Sequence, residues 1–319
     1  MPLPRSRPTV RQLEYVVAVA DHLSFSHAAA ACGVSQPALS TQIREVEQRL
    51  GLSLFERGRS GVSVPPHARG VIDAARRAVR AVDDVVDAAV DLHGELVGAV
   101  SVGVIPTMAP YLLPTLVREL RRRHPRAEPA LTEERTDDLV RRIELGQLDL
   151  GLLASPVPGD GLEVVEVATD EFHLAMPEDH PFAGDGPLPS GMLAGLPMML
   201  LEDGHCLRDQ AIDVCAGVGA TIEGTIQGTS LTTLCQMVSA GAGVTLLPAS
   251  AREVEARNGS GLVTRPLRDP RPARTVVLAW RASSPLAGLY RTFAEAIGSA
   301  VQEQCPLDRS VPPTAAVAD

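Results

Sequence analysis

From Val71 to Leu92 an apolar residue recurs at positions 71, 75, 78, 82, 85, 89 and 92, stepping alternately by four and three. A stripe with that period belongs on a helix. Counted from His67 to His93, the helix is roughly 40 Å long at about 1.5 Å per residue. The stripe is narrow and mostly Val and Ala, with Arg76, Arg77, Arg80, Asp83, Asp84 and Asp87 on its flanks. Such a helix suits a helix–helix seam, most simply with a second copy of itself, better than packing on its own domain. It also divides the chain, because the residues before it and those after it carry different patterns.

Before it lie three short helical patterns. Thr9 and Gln12 form a capping box ahead of Leu13, Val16, Val17 and Ala20. Ser24-Phe25-Ser26 opens an Ala-rich helix that stops at Gly33, and Ser35-Gln36-Pro37 opens another that closes at Gly51. In this last helix Leu39, Ile43, Val46 and Leu50 make the inner stripe, which leaves Gln36, Ser40, Thr41, Arg44 and Glu47 facing outward. Residues 54–65, with Arg57 and Arg59, read as a small hairpin or wing. This is a winged helix-turn-helix, and its polar face is of a size to meet base edges in a major groove. The candidate DNA-contacting residues are Ser35, Gln36, Pro37, Ser40, Gln42, Arg44 and Arg57. Gln36 and Gln42 suit adenine, and Arg44 guanine or phosphate.

After Gly94 strands and helices alternate, the pattern of an α/β region. Strands are expected at 99–105, 130–134, 150–154, 163–168, 171–176, 197–201, 243–247 and 274–280. Helices are expected at 111–123, 137–145, 206–217, 230–240 and 286–303. The domains therefore run 1–66, 67–93 and 98–303, with a disordered tail over 304–319.

Charge supports the division. The net charge is -10, but residues 1–65 hold seven arginines against five carboxylates, so only that part mildly favours a polyanion. All 29 basic side chains are arginine. No apolar run approaches the roughly 18 residues that span a bilayer, and the start has no apolar stretch behind its charges, so the expected compartment is the cytoplasm, beside the nucleoid. The five cysteines lack metal-ligand spacing, and neither a metal nor a cofactor is expected.

Cys206 stands at the start of the expected helix 206–217, flanked by His205, Arg208 and Asp209. A neighbouring cation or a helix N-terminus favours the thiolate, the reactive form. Cys215 lies nine residues on, so an intact helix separates the two Cα atoms by roughly 13 Å, whereas a disulfide tolerates about 7 Å. If the two pair, the helix must unwind. The plainer reading of Cys215 is a small buried hydrophobe on the apolar stripe.

The helix-turn-helix with Val34-Ser35-Gln36-Pro37-Ala38-Leu39-Ser40-Thr41-Gln42-Ile43-Arg44, the long helix and the α/β region together resemble the LysR-type transcriptional regulators over residues 9–303. Ile105 to Pro114, Leu201 to Gln210 and Gly243 to Pro248 resemble the peroxide-sensing branch of that family. The resemblance implies an α+β multidomain protein whose regulatory domain has two periplasmic-binding-protein-like subdomains, about 98–170 with 275–303, and about 171–274. It implies that hydrogen peroxide oxidises Cys206 to a sulfenic acid and that Cys215 resolves it to a disulfide, with Thr107, Thr136, His205, Arg208 and Asp209 around the peroxide. Arg208 would favour the thiolate and Asp209 would orient Arg208, while capping of the next helix is the alternative role for Thr107 and Thr136. Implied partners are double-stranded promoter DNA, further copies of the chain as a dimer of dimers, RNA polymerase and a resetting cellular dithiol. Two other functions stay open: sensing a metabolite in the cleft between subdomains, and a thiol peroxidase fused to a DNA-binding domain.

Overall fold

The structure, a computed structural model, describes residues 7–58, 61–91, 94–220 and 222–304. The expectations for Arg59, Leu92, His93 and the tail beyond 304 lie outside the described residues. Residues 1–92 and 93–319 form two compact units.

In the first unit α1 (Val10–His22), α2 (Phe25–Ala31) and α3 (Gln36–Leu50) start where the capping residues lie. Thr9 completes its capping box with Gln12, Ser24 accepts from the His27 amide, and Ser35 accepts from the Ala38 amide. Gly51 ends α3 in the left-handed region at φ 71°, which costs a side-chain-free residue nothing. Val16, Val19, Ala28, Leu39, Ile43, Val46 and Leu54 are sealed from solvent between the helices. The larger of these contribute about 1.5–3 kcal/mol each. Strands β1 (Glu56–Gly58) and β2 (Gly61–Ser63) pair antiparallel as the wing.

The long helix is α4 (Arg69–Asp91), preceded by a 3-10 turn at Pro66–Ala68. Its first turns pack on its own unit. Ala68, Ile72 and Ala75 are the buried positions and join the core of α1 to α3, while Arg76 pairs with Asp21 of α1. Ile72 is the bulkiest apolar residue of the first turns, so it sets the face that turns onto this core. Farther along, Val82, Val85 and Val86 are exposed at 43%, 71% and 64%.

The second unit opens with β3 (Gly98–Val104), α5 (Ala109–Arg123), β4 (Ala127–Glu133), α6 (Thr136–Glu144) and β5 (Leu150–Ala154). It continues through β6 (Leu162–Pro177), β7 (Leu188–Pro189), β8 (Met198–Leu201), α7 (Cys206–Val218), β9 (Ile222–Gly228) and α8 (Leu231–Ser239). Then come β10 (Thr245–Pro248), α9 (Arg252–Glu255), β11 (Leu262–Arg268), β12 (Ala273–Arg281) and α10 (Ala287–Gln304). The main sheet runs β4-β3-β5-β12-β6-β11-β7, with β10 also on β6, and β8 and β9 form a parallel pair apart from it. Among the described residues no helix is long and apolar enough to cross a membrane.

The two strands expected at 163–168 and 171–176 are one 16-residue strand, β6. Its partner β12 slips register between Val276 and Val277, so the irregularity is absorbed as a bulge and pairing continues beyond it. That continuation sets Arg274 directly across from Asp170. Strands β9 and β11 depart from the expected pattern. Glycines at both ends of the Gly224 to Gly228 stretch weaken the strand signal of β9, and Arg265-Pro266 interrupts the alternation of β11.

Candidate thiol site and DNA interface

Cys206 is the first residue of α7, with His205 as the N-cap. The helix positions it there because Leu207, Ala211 and Cys215 bury one face, at 3%, 4% and 0% exposure. Both thiols are free. The eight residues between them are continuous helix, and nine steps of about 1.5 Å set their Cα atoms roughly 13 Å apart.

Burial pushes the Cys206 thiol above its ordinary range, and the largest opposing influence is the charge of Arg274. The expectation that Arg208 supplies this charge is corrected. Arg208 instead holds Asp203 through Nε at 2.8 Å and donates through Nη1 to the Leu201 carbonyl, also at 2.8 Å. Asp209 is therefore not the partner that orients Arg208; it is exposed, and its charge raises the Cys206 thiol further. The resting sulfur is a half-buried thiol that a nearby cation makes ready to ionise, rather than a standing thiolate.

Arg274 is fully buried, as is Asp170 opposite it. Its Nε and Nη2 lie 3.0 Å and 2.9 Å from Asp170 Oδ2. Its Nη1 donates to Thr107 Oγ1 at 3.0 Å and its Nη2 to the Thr107 carbonyl at 3.1 Å. Ser250 closes the network, donating its amide to Asp170 Oδ1 at 2.9 Å and its hydroxyl to Oδ2 at 2.7 Å. Thr107 thus caps nothing: its oxygen accepts from Arg274, which leaves its own proton free to donate. Thr136 opens α6 as its first residue rather than its cap, and the cap residue Arg135 makes no side-chain bond there. The Thr136 hydroxyl favours the Cys206 thiolate, although the contact lacks full hydrogen-bond geometry and its oxygen has no protein partner. Gln210 Oε1 is likewise buried without a protein partner. His205 is 7% exposed, and burial together with Arg135 holds its imidazole neutral.

These groups suit a small molecule with two hydroxyl ends. The unpartnered Thr136 hydroxyl by the sulfur and the Thr107 hydroxyl on Arg274 accompany a fixed positive charge, which stabilises an anion leaving the reacting centre. Thr136 lies by Cys206, Thr107 joins it through Arg274 and His205 precedes it in the chain, whereas Arg274, Asp170 and Ser250 come from segments that the sequence reading did not connect to the thiol. A lone Arg at the head of an apolar strand was the available signal for Arg274, yet its partner stands 104 residues away.

Two matches with known proteins bear on this geometry. Residues 10–69 match the family described as bacterial regulatory helix-turn-helix protein, lysR family, and residues 93–302 match the LysR substrate binding domain. The chain belongs to the LysR family. Within this family it is similar to the DNA-binding transcriptional dual regulator OxyR of Escherichia coli K12, 41% identical over 90% of this chain and 94% of that one. Among solved structures it resembles a full-length cysteine-to-aspartate OxyR of Pseudomonas aeruginosa, 31% identical over 92% of this chain and 95% of that one, with a TM-score of 0.80. It also resembles a hydrogen-peroxide-bound cysteine-to-serine OxyR of Corynebacterium glutamicum, 33% identical over 98% of both chains, with a TM-score of 0.66. The LysR architecture accounts for the two-subdomain, periplasmic-binding-protein-like regulatory half and for the winged helix-turn-helix.

In the LysR helix-turn-helix, α3 presents a narrower face than expected. Ser35, Pro37, Thr41 and Arg44 are exposed and Gln36 is half-buried. Ser40 does not face outward; it is 4% exposed and accepts from Arg57 Nη2 at 2.9 Å. Arg57 itself lies over the Phe25 ring at 3.8 Å, so the wing is tied to α3 and α2. Gln42 is engaged by Gln12 at 2.9 Å, and Glu47 accepts the Leu54 amide at 2.8 Å. Both side chains have partners from other segments.

Proposed function

We propose that this chain is a transcriptional regulator switched by hydrogen peroxide through Cys206 and Cys215. One observation carries the reading: a half-buried thiol at a helix N-terminus lies beside Thr136 and a fixed arginine that also holds Thr107, with a second thiol on the same helix. The Cys206 thiolate attacks one peroxide oxygen, the O–O bond breaks, and Cys206 becomes a sulfenic acid as hydroxide leaves. Arg274 stabilises the leaving charge, while Thr107, Thr136 and Gln210 orient the peroxide. The Cys215 thiol then attacks the sulfenic sulfur, forming the disulfide and releasing water. Helix α7 unwinds in that step, because about 13 Å must close to under about 7 Å. The protein consumes one peroxide per disulfide and is not an enzyme; a cellular dithiol resets it.

The winged helix-turn-helix binds double-stranded promoter DNA, and the exposed Val82, Val85 and Val86 on α4 give the chain a face for pairing with its own copies. A dimer of dimers contacting RNA polymerase at the promoter completes the proposal. Domain limits of 1–66, 67–93 and 98–303 go with it. Non-reducing peptide mapping after one equivalent of peroxide tests the chemistry: a Cys206–Cys215 disulfide is expected, and Cys206 left as a free thiol refutes the reading.

Two smaller results are expected. Because burial raises the Cys206 thiol, the oxidation rate should climb about tenfold per pH unit through neutrality, as the thiolate fraction does below its pKa. Arg274→Gln removes the strongest force lowering that pKa, so the whole pH profile moves to higher pH; an unmoved profile in stopped-flow measurements contradicts Arg274's role. On the DNA side, Arg44→Gln should weaken binding and, as a lost phosphate contact, reduce the slope of log K against log salt by about one. A slope unchanged with altered sequence preference identifies Arg44 as a base reader instead.

A further inference from the structure

Arg135 and Glu202 take no part in the chemistry above, yet they meet beside the thiol site. Arg135 immediately precedes Thr136, and Glu202 follows β8 at the head of the segment that ends at Cys206. Arg135 Nη2 donates to Glu202 Oε1 at 2.5 Å. The guanidinium also lies along Gly204. A Cβ there would fall 2.6 Å from Arg135 Nη1 and 3.2 Å from Cζ, and Gly204 has φ +90°, so the close approach needs glycine. Beside the pair, buried His205 has Nε2 3.9 Å from Glu202 Oε1. The segment leading to the reactive cysteine is thereby tied to Arg135 through Glu202 and packed on it at Gly204, while neutral His205 adds no ion pair.

We propose that Arg135 and Glu202 are a positioning pair that pins the turn before α7 onto the start of α6, so that its release limits disulfide closure and not the first oxidation. The proposal rests on the reading that Cys206 is oxidised and then joined by Cys215. Oxidation of Cys206 needs only that peroxide reach a sulfur whose surroundings are already assembled. Closure must draw Cys206 out of that place, and residues 202–205 precede it directly in the chain. The pair's side chains are 44% and 38% exposed, so it acts as a light restraint whose attraction falls as salt screens it.

The test uses the full-length reduced chain mixed with hydrogen peroxide. Sulfenic acid is followed by dimedone trapping, and the disulfide by mass mapping of quenched samples. Arg135→Gln and Glu202→Gln are expected to leave the first step within about twofold of wild type and to speed closure roughly two- to fivefold, as befits an exposed pair. Wild-type closure should quicken between about 50 mM and about 500 mM salt, whereas closure in the variants should not. The exchange Arg135→Glu with Glu202→Arg should restore slow, salt-sensitive closure. Equal closure rates and salt responses in wild type and variants overturn the proposal, as does a first step altered as much as the second. A wild-type Cys206 that never leaves the thiol form overturns the peroxide reading instead.

Discussion

Serine in place of Cys206 is expected to abolish the peroxide response and leave promoter binding at wild-type strength. The substitution exchanges one small side chain for another at the first position of α7, where Leu207, Ala211 and Cys215 continue to anchor the helix. A serine hydroxyl does not ionise near neutrality, so no nucleophile forms beside Arg274 and the sulfur needed for the disulfide is gone. The helix-turn-helix lies in a different compact unit with a core of its own. Binding of the reduced and peroxide-treated variant to promoter DNA, read by fluorescence anisotropy, should give one curve where the wild type gives two. A variant that still shifts with peroxide would return attention to a ligand held between the subdomains, and one that no longer binds DNA at all would show Cys206 to be structural. Cys215→Ser should behave differently from both, stopping at a sulfenic acid that dimedone captures.

The second large effect concerns stability. Asp170→Ala is expected to cost about 3–5 kcal/mol, because it leaves Arg274 as a buried charge without its counter-ion. Neither side chain is exposed to solvent, and the carboxylate that is lost also receives the Ser250 amide and hydroxyl. Urea unfolding followed by the fluorescence of Trp280, itself buried in the regulatory unit, should show the midpoint fall with little change in slope. Replacing both partners, Asp170→Ala with Arg274→Met, should recover much of the loss, since two neutral side chains carry no desolvation penalty. A loss below about 1 kcal/mol in the single variant would mean that water or another group reaches Arg274, at odds with its complete burial.

The features legible in the sequence and those that are not divide along a physical line. Helix starts at Thr9, Ser24 and Ser35, the stop at Gly51, the wing, the alternation of strands and helices and the place of Cys206 at the head of α7 all arise from interactions between residues a few positions apart, and these leave a pattern in the order of the amino acids. The sequence by itself therefore determined the helix-turn-helix, the long helix, the α/β half and the two thiols with the helix that keeps them apart. It did not determine which cation serves the thiol. Arg208 was the near neighbour, but it turns to Asp203, while Arg274 comes from a strand whose register against β6 brings it to Asp170. Likewise Ser40 and Glu47 lie on the periodic outer face of α3 and Gln42 was a candidate base reader, yet Arg57, the Leu54 amide and Gln12 claim them. The tertiary structure alone decided these pairings, because burial, cross-strand register and the reach of a long side chain depend on residues distant in the chain, and a side chain's charge or hydrogen bond goes to whatever the fold sets beside it.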